Sequence, residues 1–164
     1  ISIYNALPRR IKISCLMHLQ IFLYPDSNPY TMKLVMCAGT FDIIHPGHLY
    51  FLQEAKKYGD KLIVVVARDE TSEKMKGRKP LHNEKERLES VRSLEIVDEA
   101  ILGKSGNIFN IMEEIKPNVI CLGYDQKVQK QELEDELKKR GIKADVIRIG
   151  SYMPHVYKSS KMRK

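Results

Sequence analysis

The sequence predicts a single α/β domain built on a doubly wound, mostly parallel sheet with helices on both faces. Three observations carry that expectation. Short apolar runs alternate with segments of helical spacing from Met32 onward. The run Leu62-Ile63-Val64-Val65-Val66-Ala67 is apolar at every position, the pattern of a strand covered on both faces. Glycine-containing polar segments follow the strands, where a Rossmann-like sheet places its ligands, beyond the carboxyl ends.

Taken in order, Lys33–Ala38 is a short apolar run closed by Gly39 and is expected to be a buried strand. Gly47–Tyr58 carries Leu49, Phe51, Leu52 and Ala55 at helical spacing and is stopped by Gly59-Asp60. Leu62–Ala67 is the second strand, and Arg68–Pro80 is expected to be a polar loop after it. Asn83–Leu94 is a helix with Asn83 as N-cap and Glu84 and Glu86 in its first turn, where they complement the helix dipole. Glu99–Leu102 is a short strand, and Ile108–Ile115 a helix ended by Lys116-Pro117. Val119–Leu122 is a strand stopped by Gly123, Gln131–Arg140 a charged helix closed by Gly141, and Ala144–Ile149 the last strand.

Composition bounds the rest. With 164 residues, 43% hydrophobic and 30% charged, the chain has the make-up of one soluble domain. A net charge of +7 favours an anionic partner without choosing one, and a lysine-rich solvated surface explains it equally. Cys15, Cys37 and Cys121 are odd in number and far apart, which suggests free thiols in a reducing compartment. No apolar run approaches the roughly 18 residues that span a bilayer, so a cytoplasmic protein is expected. Residues 1–31 differ in character, with Leu7-Pro8-Arg9-Arg10 and the turn-rich Pro25–Pro29. Met32 directly precedes the first strong strand, so residues 1–31 are read as an extension that is not native to the domain at 32–164.

His45-Pro46-Gly47-His48 falls between the first strand and the first helix. Pro46 suits a first helical turn, where its missing N–H costs nothing. His45 and His48 are three apart, so both imidazoles can share a face at a helix start whose free N–H groups attract anions. Gly39 lets the backbone approach a phosphate. Such a loop can stabilise a phosphoryl-transfer transition state, with a capping or core histidine as the plain alternative. No third metal ligand is evident nearby, and no metal-binding residue is assigned.

Gly39-Thr40-Phe41-Asp42-x-x-His45-Pro46-Gly47-His48 resembles the signature of the cytidylyltransferase-like nucleotidyltransferases. Further stretches resemble archaeal-type FAD synthases: Val65–Thr71, Lys76-Gly77-Arg78-Lys79-Pro80, Val97–Gly103 and Leu122-Gly123-Tyr124-Asp125-Gln126. The resemblance runs from about Met32 to the C-terminus. It implies ATP and FMN as substrates, FAD and pyrophosphate as products, and a divalent metal, Mg²⁺ first among candidates. It implies that His45, His48 and Lys76 are catalytic, with Lys74 as competitor to Lys76. Gly39, Thr40 and Phe41 would present the phosphate-binding loop. Lys74 and Arg87 would face the substrate phosphate, Gly123 and Asp125 the ribose or base, and Ser159 and Ser160 the β- and γ-phosphates.

Each residue has a plainer role available. Lys74, Lys76, Arg78 and Lys79 form a charge run of the kind usually solvated, and Arg87 could pair with Glu84 one turn earlier. Asp125 could be a turn residue, and Ser159-Ser160 a plain N-cap. Glycerol-3-phosphate cytidylyltransferases usually carry Arg-Thr-x-Gly-Ile-Ser-Thr where this chain reads His155–Ser160, and Gly-Asp-Asp-Trp where it reads Gly123–Gln126. Both differences count against a CTP-dependent enzyme of that kind, which stays as the alternative. A third reading is a non-catalytic nucleotide- or RNA-binding module, although paired exposed aromatics on a sheet are not evident. Small-molecule partners are therefore expected, without nucleic acid or membrane, and a homodimer is compatible.

Overall fold

The computed structural model describes residues 32–153. The expected extension at 1–31 and the expected phosphate-binding Ser159 and Ser160 lie outside the described residues. In chain order the elements are β1 (Leu34–Gly39), α1 (Pro46–Lys56), β2 (Lys61–Val66), α2 (Asp69–Lys76), α3 (Glu84–Arg92), β3 (Glu99–Leu102), α4 (Phe109–Ile115), β4 (Val119–Leu122), α5 (Lys130–Lys139) and β5 (Asp145–Arg148). The strands form one sheet in the order β3-β2-β1-β4-β5, and every neighbouring pair is parallel. This is the expected doubly wound α/β architecture, and the strand order reverses between β1 and β4.

Two apolar layers follow from the two-residue period of the strands. Val35 and Cys37 of β1, Leu62, Val64 and Val66 of β2, and Val119 and Cys121 of β4 pack with Leu52 and Ala55 of α1 and Leu88 and Val91 of α3. Met36, Val65, Ile120, Leu122 and Val146 pack with Ile111 and Met112 of α4 and Leu133 and Leu137 of α5. The central strands are buried on both sides, which is why their sequences lack polar alternation. Cys37 and Cys121 are the buried free thiols expected, opposite one another in the β1–β4 register. Among the described residues, no helix is long and apolar enough to cross a membrane.

One element corrects the sequence-based expectation. The segment after β2 was expected to be a loop through Pro80, but Asp69–Lys76 is helical. Its residues carry almost no apolar stripe, and Ser72 is its only buried position. What holds it is electrostatics at its ends: Asp69 and Glu70 sit in the first turn, Lys74 and Lys76 in the last. Gly77 then stops it in the left-handed conformation, φ 69°, donating its N–H to the Glu73 carbonyl. The other elements start or end within about two residues of expectation, the usual uncertainty of frayed ends. Asn83 caps α3 as read, accepting from the Lys85 and Glu86 amides while Glu86 accepts from the Asn83 amide.

At the opposite end of the sheet from the polar loops, Gly59 leads from α1 into β2. The Asp60 amide donates to the Lys33 carbonyl at 2.8 Å, and the Lys33 amide donates to the Asp60 carboxylate at 2.7 Å. This pinning draws the Gly59 backbone against β1, so that an added Cβ would stand 2.5 Å from the Lys33 carbonyl oxygen and 2.7 Å from Val35 Cγ2. Gly59→Ala must therefore displace backbone, at a cost of about 2 kcal/mol. Thermal denaturation is expected to show a Tm lowered by roughly 4–8 °C; an unchanged Tm would contradict the close approach.

Candidate active site

The loop leaving β1 is shaped by a steric exchange between two of its own residues. Phe41 is buried and adopts φ 51°, a left-handed conformation unusual for a bulky side chain. Its ring lies against Gly39, where an added Cβ would be 2.9 Å from Phe41 Cε2. The same ring packs on His48, with centroids 5.2 Å apart. Gly39 is needed here for the close approach, and the turn at Phe41 redirects the chain toward α1.

α1 begins as expected, with an extended His45 at the N-cap and Pro46 in the first turn. The His45 carbonyl accepts from the His48 amide at 2.8 Å and the Leu49 amide at 3.2 Å. The His45 and His48 rings stack with centroids 3.9 Å apart and planes 24° from parallel. Two imidazolium charges at that spacing would repel, and burial penalises each charge further. Burial lowers the pKa of His45, against a smaller upward pull from Asp125. Burial, then His45, then Lys76 push His48 down to about 3. Both rings are thus neutral at neutral pH, each with one N–H able to donate. At neutral pH the positive charge of the cluster lies elsewhere.

It is on Lys76, at the end of α2. The residue is exposed as a whole, but partial burial of its ammonium lowers its pKa while Asp42 and Asp125 pull it upward. Its charge is also felt by His48, so it belongs to the same cluster. Ser72, fully buried one turn before Lys76, donates from Oγ to Thr40 Oγ1 at 3.3 Å, tying α2 to the β1 loop. Thr40 then retains its own hydroxyl proton for another acceptor.

Asp42 and Arg87 fix the surrounding backbone. The Asp42 carboxylate accepts from the Leu81 amide at 2.9 Å and the His82 amide at 3.0 Å, and His82 Nδ1 lies 2.9 Å from the Asp42 carbonyl. Arg87 is fully buried and donates to the carbonyls of His82 at 3.1 Å, Thr40 at 2.5 Å and Ala67 at 2.8 Å, and to Asp69 Oδ1 at 2.7 Å. It does not pair with Glu84, which instead accepts from Arg68 at 2.7 Å. The guanidinium expected to face the substrate phosphate is occupied with three carbonyls and a carboxylate, so its role here is to place the loops.

Across the β1–β4 boundary, Gly123 opens the turn that carries Asp125. Asp125 is near enough for its charge to act on both His45 and Lys76. The structure therefore brings together Gly39, Thr40, Phe41, His45, His48, Lys76, Gly123 and Asp125 at the carboxyl ends of β1, β2 and β4. Asp42, Ser72 and Gln126 join them without having been assigned; Asp42 and Gln126 were visible inside motif stretches, whereas nothing local marks Ser72. Among the described residues, no group of three or more His, Cys, Asp or Glu is placed to hold a metal ion. Asp42 and Asp125 are the carboxylates whose charge reaches Lys76.

The sequence and the fold have counterparts among known proteins. The cytidylyltransferase-like family matches residues 36–164. An FAD synthase from Aciduliprofundum boonei is 50% identical over 121 residues, covering 74% of this chain and 80% of the relative. An FAD synthase from Thermoplasma volcanium is 45% identical over 133 residues, covering 81% and 93%. A crystal structure from the same organism, described as a lipopolysaccharide core biosynthesis protein, superposes with a TM-score of 0.72 at 45% identity, covering 74% of this chain and 99% of that one.

The neutral His48 has a measurable consequence for stability. In the unfolded chain its pKa returns to the ordinary 6.5, whereas the folded value is about 3. Between those values the unfolded state binds a proton that the native state refuses. Stability from this residue is thus complete above about pH 6.5 and falls as pH is lowered, by at most about 1.4 kcal/mol per pH unit. Urea denaturation between about pH 6.5 and pH 4.5 is expected to give a shallower acid limb for His48→Gln than for the wild type. Parallel limbs would contradict a buried neutral imidazole.

Proposed function

Because the chain belongs to the cytidylyltransferase-like family, we propose that it is an FAD synthase, an FMN adenylyltransferase that moves AMP from ATP to FMN and releases pyrophosphate. The observation that carries this reading is the stacked His45–His48 pair at the start of α1, facing Lys76 and Asp125, on a chain about half identical to FAD synthases. A phosphate oxygen of FMN attacks the α-phosphorus of ATP in line. The new bond joins that oxygen to phosphorus, and the bond to the β-phosphate oxygen breaks. FMN's phosphate is already ionised at neutral pH, so no general base is required, which suits a site without paired free carboxylates.

Catalysis is then a matter of positioning and charge. The N–H groups at the start of α1, with His45 and His48, receive the phosphate oxygens on which charge builds. Lys76 supplies the local positive charge, and Thr40 offers its hydroxyl. Asp125 and Gly123 face the ribose or base; Ser159 and Ser160 are proposed for the β- and γ-phosphates. Mg²⁺ bound to the triphosphate would neutralise the departing pyrophosphate, with Asp42 and Asp125 the nearest carboxylates. Arg87 acts through the backbone it holds. ATP and FMN are the partners proposed, in the cytoplasm and without nucleic acid or membrane; a homodimer fits the same reading, and light scattering reads it.

Purified protein with FMN, ATP and Mg²⁺ is expected to form FAD, followed as a fall in flavin fluorescence and a release of pyrophosphate. CTP with glycerol 3-phosphate is the contrasting pair, and turnover of that pair alone would replace the flavin reading. His48→Ala is expected to lower kcat by at least about 100-fold while the protein remains folded at the assay temperature, the loss typical of a missing donor to a developing charge. A wild-type rate would remove His48 from the mechanism. Chelation with EDTA is expected to stop turnover, and Mg²⁺ to restore it; activity surviving exhaustive chelation would exclude the metal.

A further inference from the structure

The ladder between β1 and β4 runs from Val35–Val119 to Cys37–Cys121 and stops. β1 continues through Ala38 and Gly39, but on its other side, toward β2. The Gly39 carbonyl accepts from the Ala67 amide beyond β2, which leaves the preceding Ala38 carbonyl facing β4. That carbonyl sits at the reversal point of the sheet, where the ligand crevice opens.

Gln126 fills the missing rung. Its Nε2 donates to the Ala38 carbonyl at 2.7 Å, and its Oε1 accepts from the Gly123 amide at 3.2 Å. One carboxamide thus replaces a peptide group, accepting from the β4 side and donating to the β1 side. The Gln126 amide also donates to the Gly123 carbonyl at 3.3 Å, closing the turn that contains Tyr124 and Asp125. Arg148, at the end of β5, secures the turn from the other side. It donates to the carbonyls of Gly123 at 2.8 Å and Gln126 at 3.1 Å, and to that of Val128. Asp125 therefore sits in a turn braced by β1 and β5, near enough for its charge to act on His45 and Lys76.

We propose that Gln126 is a positioning residue for the nucleotide: its side-chain amide latches the Gly123–Gln126 turn to the end of β1 and so sets where Asp125 meets the bound triphosphate nucleotide. Only the ability both to donate and to accept serves this latch. Gln126→Leu removes both bonds, and Gln126→Glu sets an ionised oxygen against the Ala38 carbonyl. The proposal rests on the reading of Asp125 as a nucleotide contact, and it requires neither FMN as acceptor nor turnover.

The test is calorimetric titration of the full chain with ATP and with CTP, for wild type, Asp125→Ala, Gln126→Leu and the double variant. The better-bound nucleotide reports. Each single variant is expected to weaken its binding about 10-fold, while FMN binding, read by flavin fluorescence, stays within about twofold of wild type. Because Gln126 acts through Asp125, the double variant should be scarcely weaker than either single one, a coupling that independent sites do not show. Losses that multiply in the double variant would overturn the latch, as would equal losses of nucleotide and FMN binding, which mark general loosening of the site. Gln126→Glu separates amide chemistry from size: it is expected to bind as weakly as Gln126→Leu, and wild-type affinity would refute the proposal. Failure of FAD formation with the coupling intact would sink the flavin reading alone.

Discussion

A guanidinium enclosed away from water has to find its partners inside the protein, and Arg87 is the largest fully enclosed side chain among the described residues. Its partners are the carbonyls of Thr40, Ala67 and His82 and the carboxylate of Asp69. Those residues belong to the loop after β1, the end of β2, the approach to α3 and the start of α2. The loop after β1, the β2–α2 junction and the approach to α3 thus converge on one cation. Removing it would leave carbonyls buried without donors as well as a hole, and the two losses reinforce each other. The position of Thr40 follows from it directly. The placement of Lys76 follows through α2, whose first residue is Asp69.

The same physical problem recurs on the other side of β1. At the carboxyl edge of a parallel sheet the strands end unevenly, and carbonyls lose their ladder partners just where the backbone must turn away. This protein answers with side-chain donors rather than with more strand. Arg87 serves the β1–β2 side, and Gln126 with Arg148 the β1–β4 side. Asp42 performs the converse service for the amides of Leu81 and His82. Loops braced in this way have few alternative conformations, and a reaction that depends on positioning and charge needs that restriction.

These braces also explain what the sequence disclosed and what it concealed. The strands were legible because Leu62–Val66 and Val119–Leu122 are apolar at every position, a pattern that burial on both faces imposes. The histidine loop was legible because Pro46, Gly39 and the spacing of His45 and His48 each have a local meaning. α2 was concealed: its helix depends on end charges and one buried serine, so no apolar period announces it. Arg87 was noticed, but its direction could not be inferred. Whether an arginine on a helix faces a ligand or the interior depends on carbonyls contributed by residues up to 47 positions away. The contacts of Gln126 and Arg148 were beyond reach for the same reason, since a latch across 88 residues has no local signature.

The chemistry of the site rests on a balance between charge and burial. A site carrying two imidazolium ions beside Lys76 would hold triphosphate and pyrophosphate strongly at every stage, and uniform binding of that kind does not accelerate a reaction. Stacking His45 on His48 under partial burial keeps both rings neutral at neutral pH. A polyanion brought to the start of α1 reverses that penalty, because a nearby negative charge raises an imidazole pKa as surely as a nearby positive one lowers it. An anion facing the two rings therefore offsets part of the cost of charging them. The stacking distance, the helix start and the neighbouring ammonium are thus one device, and Phe41, packed between Gly39 and His48, is the wedge that holds it in register.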